Sequence, residues 1–210
     1  MKHSLKLIAA LVAISLCRQV SAAIFNPNDV ASLITAINTS NSNAEDDTIE
    51  LATSTFTLTA VDNGQNGLPV ILSDTGHTLV IHGNGATLQR STAVGTPTFR
   101  IFQIDTDADV TIDGLTITNG NGGGNGGGIF NGGTLTISNS TISSNSATGF
   151  IFGGEGGGIY NDHATLTVSN STLSGNSAPA PPPRASAATA AAASSTTPTT
   201  GSWATPAARR

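Results

Sequence analysis

The sequence predicts an all-β protein built as a solenoid of parallel strands, and three observations predict it. The first is internal repetition. GGGIFNGGTLTISNSTISSNSA, residues 126–147, aligns with GGGIYNDHATLTVSNSTLSGNSA, residues 156–178, after one inserted residue. DVTIDGLTITNGNG, 109–122, is a degenerate earlier copy, and LVIHGNGATL, 79–88, a further echo. Units of this length cannot bury a core alone and must stack on their neighbours. The second is composition: TIELATSTFTLTA, TLVIHGNGATLQR, FRIFQI, VTIDGLTI, TLTISNSTI and TLTVSNSTL are rich in β-branched residues, alternate in polarity and are punctuated by Gly, Asn, Asp and Ser. The third is parity within a unit. In TLTISNSTI, Leu135, Ile137 and Asn139 share one strand face while Ile142 falls on the other. The chain therefore has to bend between Asn139 and Ile142 for all of them to point inward.

Residues 1–22 read as a secretory signal. Lys2 and Lys6 flank the start, Leu7 to Leu16 is apolar, and Val20-Ser21-Ala22 is a small-residue cleavage site. The apolar run is short of the roughly 20 residues that span a bilayer, and no later segment approaches that length. Cleavage after Ala22 removes Cys17, the single cysteine, and leaves a chain without disulfides or thiolate metal sites.

Residues 23–46 form the expected N-terminal cap. In NDVASLITAINTSN, 28–41, Val30, Leu33, Ile34 and Ile37 stand at i, i+3, i+4 and i+7, with Asn28 or Asp29 as N-cap, which makes a short amphipathic helix. Its expected task is to shield the open apolar end of the stack. Residues 47–178 form the stack itself.

Within the two clear copies the glycines Gly126, Gly127 and Gly128, and Gly156, Gly157 and Gly158, precede Ile129 and Ile159, where a tight reversal needs positive φ or close backbone approach. Asn139 with Asn170, and Asn145 with Asn176, hold equivalent positions. All four are expected to stack their amides as ladders, and parity with the buried apolar residues places Asn139 and Asn170 facing inward. On that expectation the sequons at Asn139 and Asn170 are ladder positions, not glycan acceptors.

These motifs resemble the bacterial right-handed parallel β-helix proteins that include polymorphic outer membrane protein and adhesin passengers. The matching residues are Gly126-Gly127-Gly128-Ile129 with Ser144-Asn145-Ser146-Ala147, and Gly156-Gly157-Gly158-Ile159 with Gly175-Asn176-Ser177-Ala178. The resemblance covers about 24–178 and implies a right-handed coil, a secreted or outer-surface location, and a non-catalytic recognition role. Its implied partners are proteins or glycans of a host or neighbouring cell surface. Such large passengers end in a membrane barrel, for which nothing in these 210 residues provides.

Residues 179–210 read as a disordered Ala/Pro/Ser/Thr tail. A sharper reading is a frameshifted repeat: GGC GGC GGC GGC ATC TTC AAC AAC encodes Gly-Gly-Gly-Gly-Ile-Phe-Asn-Asn, and one base out of frame it reads Ala-Ala-Ala-Ala-Ser-Ser-Thr-Thr, the sequence at 190–197. On that reading the ancestral protein continued for more coils. The last coil then presents a parallel edge open to self-association.

Charge excludes some functions. From Ala23 to Ala178 thirteen carboxylates face two arginines, Arg90 and Arg100, a formal balance of −11. Such a surface cannot neutralise a phosphate backbone, so nucleic acid is excluded as a partner, and it repels anionic membranes. The tract GNGGGNGGG, 120–128, contains G-x-G-x-x-G but runs into another strand and lacks a lysine, so it is neither a dinucleotide loop nor a P-loop, and no cofactor is expected. Asp105, Asp107, Asp109 and Asp113 form the densest acidic cluster. The first three, on one strand face, are candidate Ca²⁺ ligands, set against the simpler reading of a solvated turn.

A polysaccharide lyase or hydrolase is the competing class. It has only His82, Arg90, Arg100 and the Asp105–Asp113 cluster as raw material, and no catalytic residue is assigned. Between 126 and 178 the ionisable side chains besides Tyr160 are Glu155, Asp162 and His163, the last read as a loop residue beside the insertion at Ala164.

Overall fold

A computed structural model describes residues 22–149 and 154–179. Residues 1–21 of the expected signal, Cys17 among them, and the tail from residue 180 with its AAAASSTT segment, lie outside the described residues. The described chain is mostly β, with parallel strands in stacked sheets and one helix among the named elements.

The chain visits the same sheets repeatedly and in the same order. The first sheet joins β1 (Ala23–Phe25), β2 (Asp47–Glu50), β4 (Thr78–His82), β7 (Asp109–Asp113), β11 (Thr134–Ser138) and β15 (Thr165–Ser169). The second joins β3 (Thr55–Leu58), β5 (Thr87–Arg90), β8 (Thr116–Thr118), β12 (Thr141–Ser143) and β16 (Thr172–Ser174). The third joins β6 (Phe102–Ile104), β10 (Ile129–Asn131) and β14 (Ile159–Asn161), and a small fourth pairs β9 (Asn121–Gly122) with β13 (Ser146–Ala147). Every pairing between named strands is parallel.

Register follows the sequence repeat residue for residue. Leu135 pairs with Leu166 and Val110, Ile137 with Val168 and Ile112, and Ile142 with Leu173 and Ile117. The offset between the last two copies is 30 residues at Asn131 and Asn161 but 31 at Thr134 and Thr165, so the inserted residue falls in the Asp162–Ala164 turn. His163 is there, exposed and at φ 52°.

The interior is one column of apolar side chains, including Ile49, Ile81, Ile112 and Ile137 from the first sheet and Phe56, Leu88, Ile117 and Ile142 from the second. Each fully buried side chain of this kind contributes about 2 kcal/mol of transfer free energy. Phe99, Phe102, Ile104 and Ile129 close the third side.

α1 (Val30–Ser40) starts at Asp29, whose carboxylate accepts from the Ser32 N–H at 2.7 Å while the Asp29 N–H donates to the Ser32 hydroxyl, a reciprocal capping box. Leu33, Ala36 and Ile37 enter the core beside β3, the end strand of the second sheet. Asn41, just past the helix, donates to the Val70 carbonyl and accepts from the Leu72 N–H.

Two expectations need correction. Asn139 and Asn170 are exposed, not inward, because the bend occurs at these residues themselves: they stand at φ 50° and 45°, and Gly114 holds the equivalent corner at φ 66°. The corner resets the parity, so that Ser140, buried, follows Ile137 into the interior and Ile142 follows Ser140. Asp105, Asp107 and Asp109 do not share a strand face. Asp105 and Asp107 lie in the turn between β6 and β7, with Asp107 at φ 64°, and Asp109 opens β7.

Candidate functional site

The glycines Gly126–Gly128 and Gly156–Gly158, with Asn145 and Asn176, form the inner structure of the turn into β10 and β14. Gly126 and Gly156 have left-handed φ of 73° and 62°, the conformation glycine tolerates best. Gly127 sits where backbones converge: a Cβ there would lie 2.3 Å from the carbonyl oxygens of both Gly157 and Ser146. Gly128 leaves room for Asn145, whose side-chain carbon would be 3.0 Å from an added Cβ.

Asn145 is fully buried and every polar atom of its amide is used. Its Oδ1 accepts from the Gly120 N–H at 2.8 Å, and its Nδ2 donates to the Ile117 carbonyl at 3.1 Å and to Asn176 Oδ1 at 3.0 Å. Asn176 repeats the pattern one layer on, donating to the Ile142 carbonyl at 2.8 Å. The Asn145–Asn176 ladder therefore replaces the backbone partners that the second corner withdraws at Asn119, Ser144 and Gly175, all at positive φ. A second ladder was not anticipated: Asn131 Nδ2 donates to Asn161 Oδ1 at 2.6 Å and to the Thr165 carbonyl at 3.0 Å. Its signal was present in the repeated final letter of GGGIFN and GGGIYN.

Apart from the buried Asp47, Asp74 and Arg100, the ionisable groups of the described residues lie on the outer faces and turns, and these diverge. On the first sheet Glu50, His82 and Asp113 stand in register, with His82 Nε2 4.0 Å from Glu50 and Nδ1 3.8 Å from Asp113. Hydrogen bonds from the Ser138 hydroxyl and then the Asn139 amide hold the Asp113 carboxyl below the usual carboxylate range, with a smaller contribution from His82. Burial pushes the Asp47 carboxyl up, against the opposing hydrogen bond from Asn43.

Arg90, on the second sheet, gives its guanidinium to the carbonyls of Pro97 and Thr96 and lies 5.5 Å from the Phe99 ring centre. Arg100, only 7 % exposed and beside the third sheet, donates to Gln103 and Gln65 and lies 5.0 Å from the Phe130 ring centre. Burial lowers the proton affinity of both arginines. Neither arginine makes an ion pair with a carboxylate among the described residues.

The cation Arg100 is thus embedded in neutral partners, next to an aromatic pair on the outer face of the third sheet. Phe130 and Tyr160 are in register, half-buried, with ring centres 5.5 Å apart and planes tilted by 40°. This combination was not anticipated, although the Phe/Tyr alternation in the two copies carried it.

Asp105, Asp107 and Asp109 are exposed, and among the described residues no three His, Cys, Asp or Glu side chains assemble as a cation site. No helix among the described residues is long and apolar enough to cross a membrane. Comparison with protein-family models, with curated proteins and with solved structures finds no match to the chain.

Proposed function

We propose that the stacked sheets are the coils of a right-handed parallel β-helix capped by α1, and that the chain is a secreted or outer-surface recognition module of adhesin or passenger type. In-register parallel strands repeated at 25 to 31 residues support the coil, and the general preference for right-handed connections between parallel strands supports the hand. The signal-like residues 1–22 support export. The observation that carries the non-catalytic reading is divergence. Among the described residues His82 with Asp113 belongs to the first sheet, Arg90 to the second and Arg100 to the third side, so these acid, base and guanidinium groups do not face one substrate position.

A carbohydrate-binding role is the second reading. The Phe130–Tyr160 pair, flanked by Arg100, Gln103 and Gln65, offers an apolar platform with amide groups at its rim, the arrangement that grips a sugar face and its hydroxyls.

Incubating the full chain with a panel of immobilised cell-surface glycans and proteins, and with soluble neutral and acidic polysaccharides, separates these readings. The expected result is saturable binding without chain cleavage. Binding to a glycan that is lost in Phe130→Ala and Tyr160→Ala selects the second reading. Release of new reducing ends or unsaturated uronates, abolished by His82→Ala, would replace both with an enzyme.

A further inference from the structure

The end of the stack formed by β14, β15 and β16 carries core residues that no further strand among the described residues covers. All three are terminal strands of their sheets, paired on one side only. Leu166, Val168, Leu173 and Ile159 are the register mates of Leu135, Ile137, Ile142 and Ile129, each of which is completely buried. Val168 is nevertheless 40 % exposed and Leu173 50 % exposed, while Leu166 and Ile159 are partly covered. Among the described residues this face pairs an apolar layer with open strand edges, the combination that drives strand-to-strand association.

The face is also free of charge. The strands β14, β15 and β16 themselves hold no Asp, Glu, Lys, Arg or His, in a body of formal charge −11, and Glu155, Asp162 and His163 stand only at the rim beside β14. A second copy can therefore approach here without carboxylate repulsion, whereas a basic partner finds nothing to pair with. The underside of the same layer packs on its own kind in parallel register, Leu on Leu, Val on Ile and Asn on Asn, so the matching chemistry for the open side is a second apolar layer of this composition. The opposite end differs, because α1 places Leu33, Ala36 and Ile37 into the core there.

We propose that two copies of this chain join through this end as a twofold dimer. With one end filled by α1, pairing cannot propagate head to tail, and the assembly closes at two. The twofold runs the β15 strands antiparallel; centred on Thr167, it sets Leu166 against Val168 of the other copy. It also lays β16 of one copy over β14 of the other.

Sedimentation velocity of the full chain over the micromolar range tests this. The expected result is a concentration-dependent species of twice the monomer mass. Leu173→Lys and Val168→Lys should retain the circular dichroism of the parent, because both sites are exposed, and weaken the dimer at least about 100-fold, because an ammonium would be buried against an apolar layer. Ile24→Lys, at the other end, should leave the dimer unchanged. Four results would overturn the proposal: a monomer throughout, a ladder of larger species, a dimer lost only in Ile24→Lys, or a full-length monomer that dimerises only when the chain stops at Ala178. The last would make residues 179–210 the cover of this face.

Discussion

Replacing Asn145 with alanine is expected to lower stability by about 3 kcal/mol or more, since each buried polar group left without a partner costs about 1–3 kcal/mol. Three groups are affected: the Gly120 N–H and the Ile117 carbonyl lose this partner, while Asn176 Oδ1 keeps the backbone N–H of residue 145. Two of them are backbone groups inside the corner, which water cannot reach without opening the stack. Asn176→Ala removes a chemically equal side chain, itself half-buried, from a last layer that is mostly exposed. It should cost less than half as much. Urea unfolding of the two variants side by side reads the difference; equal losses would show that the Asn145 amide is not a buried backbone substitute.

Gly127→Ala should be at least as damaging, about 3 kcal/mol, at the upper end of the usual cost of overpacking. The added methyl would stand 2.3 Å from two carbonyl oxygens, Gly157 and Ser146, which belong to fixed backbone on either side and cannot rotate away. Relief requires spreading the layers, and that strains the Gly127 N–H bond to Gly156 and the neighbouring Gly128 bonds to Gly157 and Gly158. Gly123 supplies the contrast. Its added Cβ meets nothing closer than 3.9 Å. Gly123→Ala should fall within about 0.5 kcal/mol of the parent, as surface changes usually do.

The stack was legible in the sequence because its core positions repeat. Leu135, Ile137 and Ile142 recur as Leu166, Val168 and Leu173, and even the degenerate copy keeps Val110, Ile112 and Ile117 in register. The insertion beside His163 and the helix N-cap were legible for the same reason: both interrupt or begin a strict spacing.

The corners were less legible. Alternation fixes which residues share a face only within an unbroken strand, so it cannot say where the bend falls. The useful signal was the exchange of Gly114 for Asn139 and Asn170 between copies, since glycine and asparagine are the residues that share the left-handed conformation. The second corner is marked less cleanly, by Asn119, Ser144 and Gly175, all left-handed. Asp105 and Asp107 failed alternation for the same reason, with a positive φ at Asp107 in place of a continuous strand.

Parity alone could not foresee the outer aromatic pair. Phe130 and Tyr160 occupy a position that in β6 is Gln103, and only the register shows Arg100 reaching Phe130 from the preceding layer.

The central claim, parallel copies stacked in register, is tested most directly by engineered disulfides in a Cys17→Ser background. Neighbouring strands are about 4.8 Å apart, inside the roughly 4.4–6.8 Å that a disulfide spans between Cα atoms. Thr136 and Thr167 are register partners on the outer face of the first sheet. Thr136→Cys with Thr167→Cys should therefore oxidise readily. Thr136→Cys with Ser169→Cys, displaced two residues to about 8 Å, should not. A disulfide at the first pair and free thiols at the second is the predicted result; preferential oxidation of the displaced pair would contradict the register and the stack built on it.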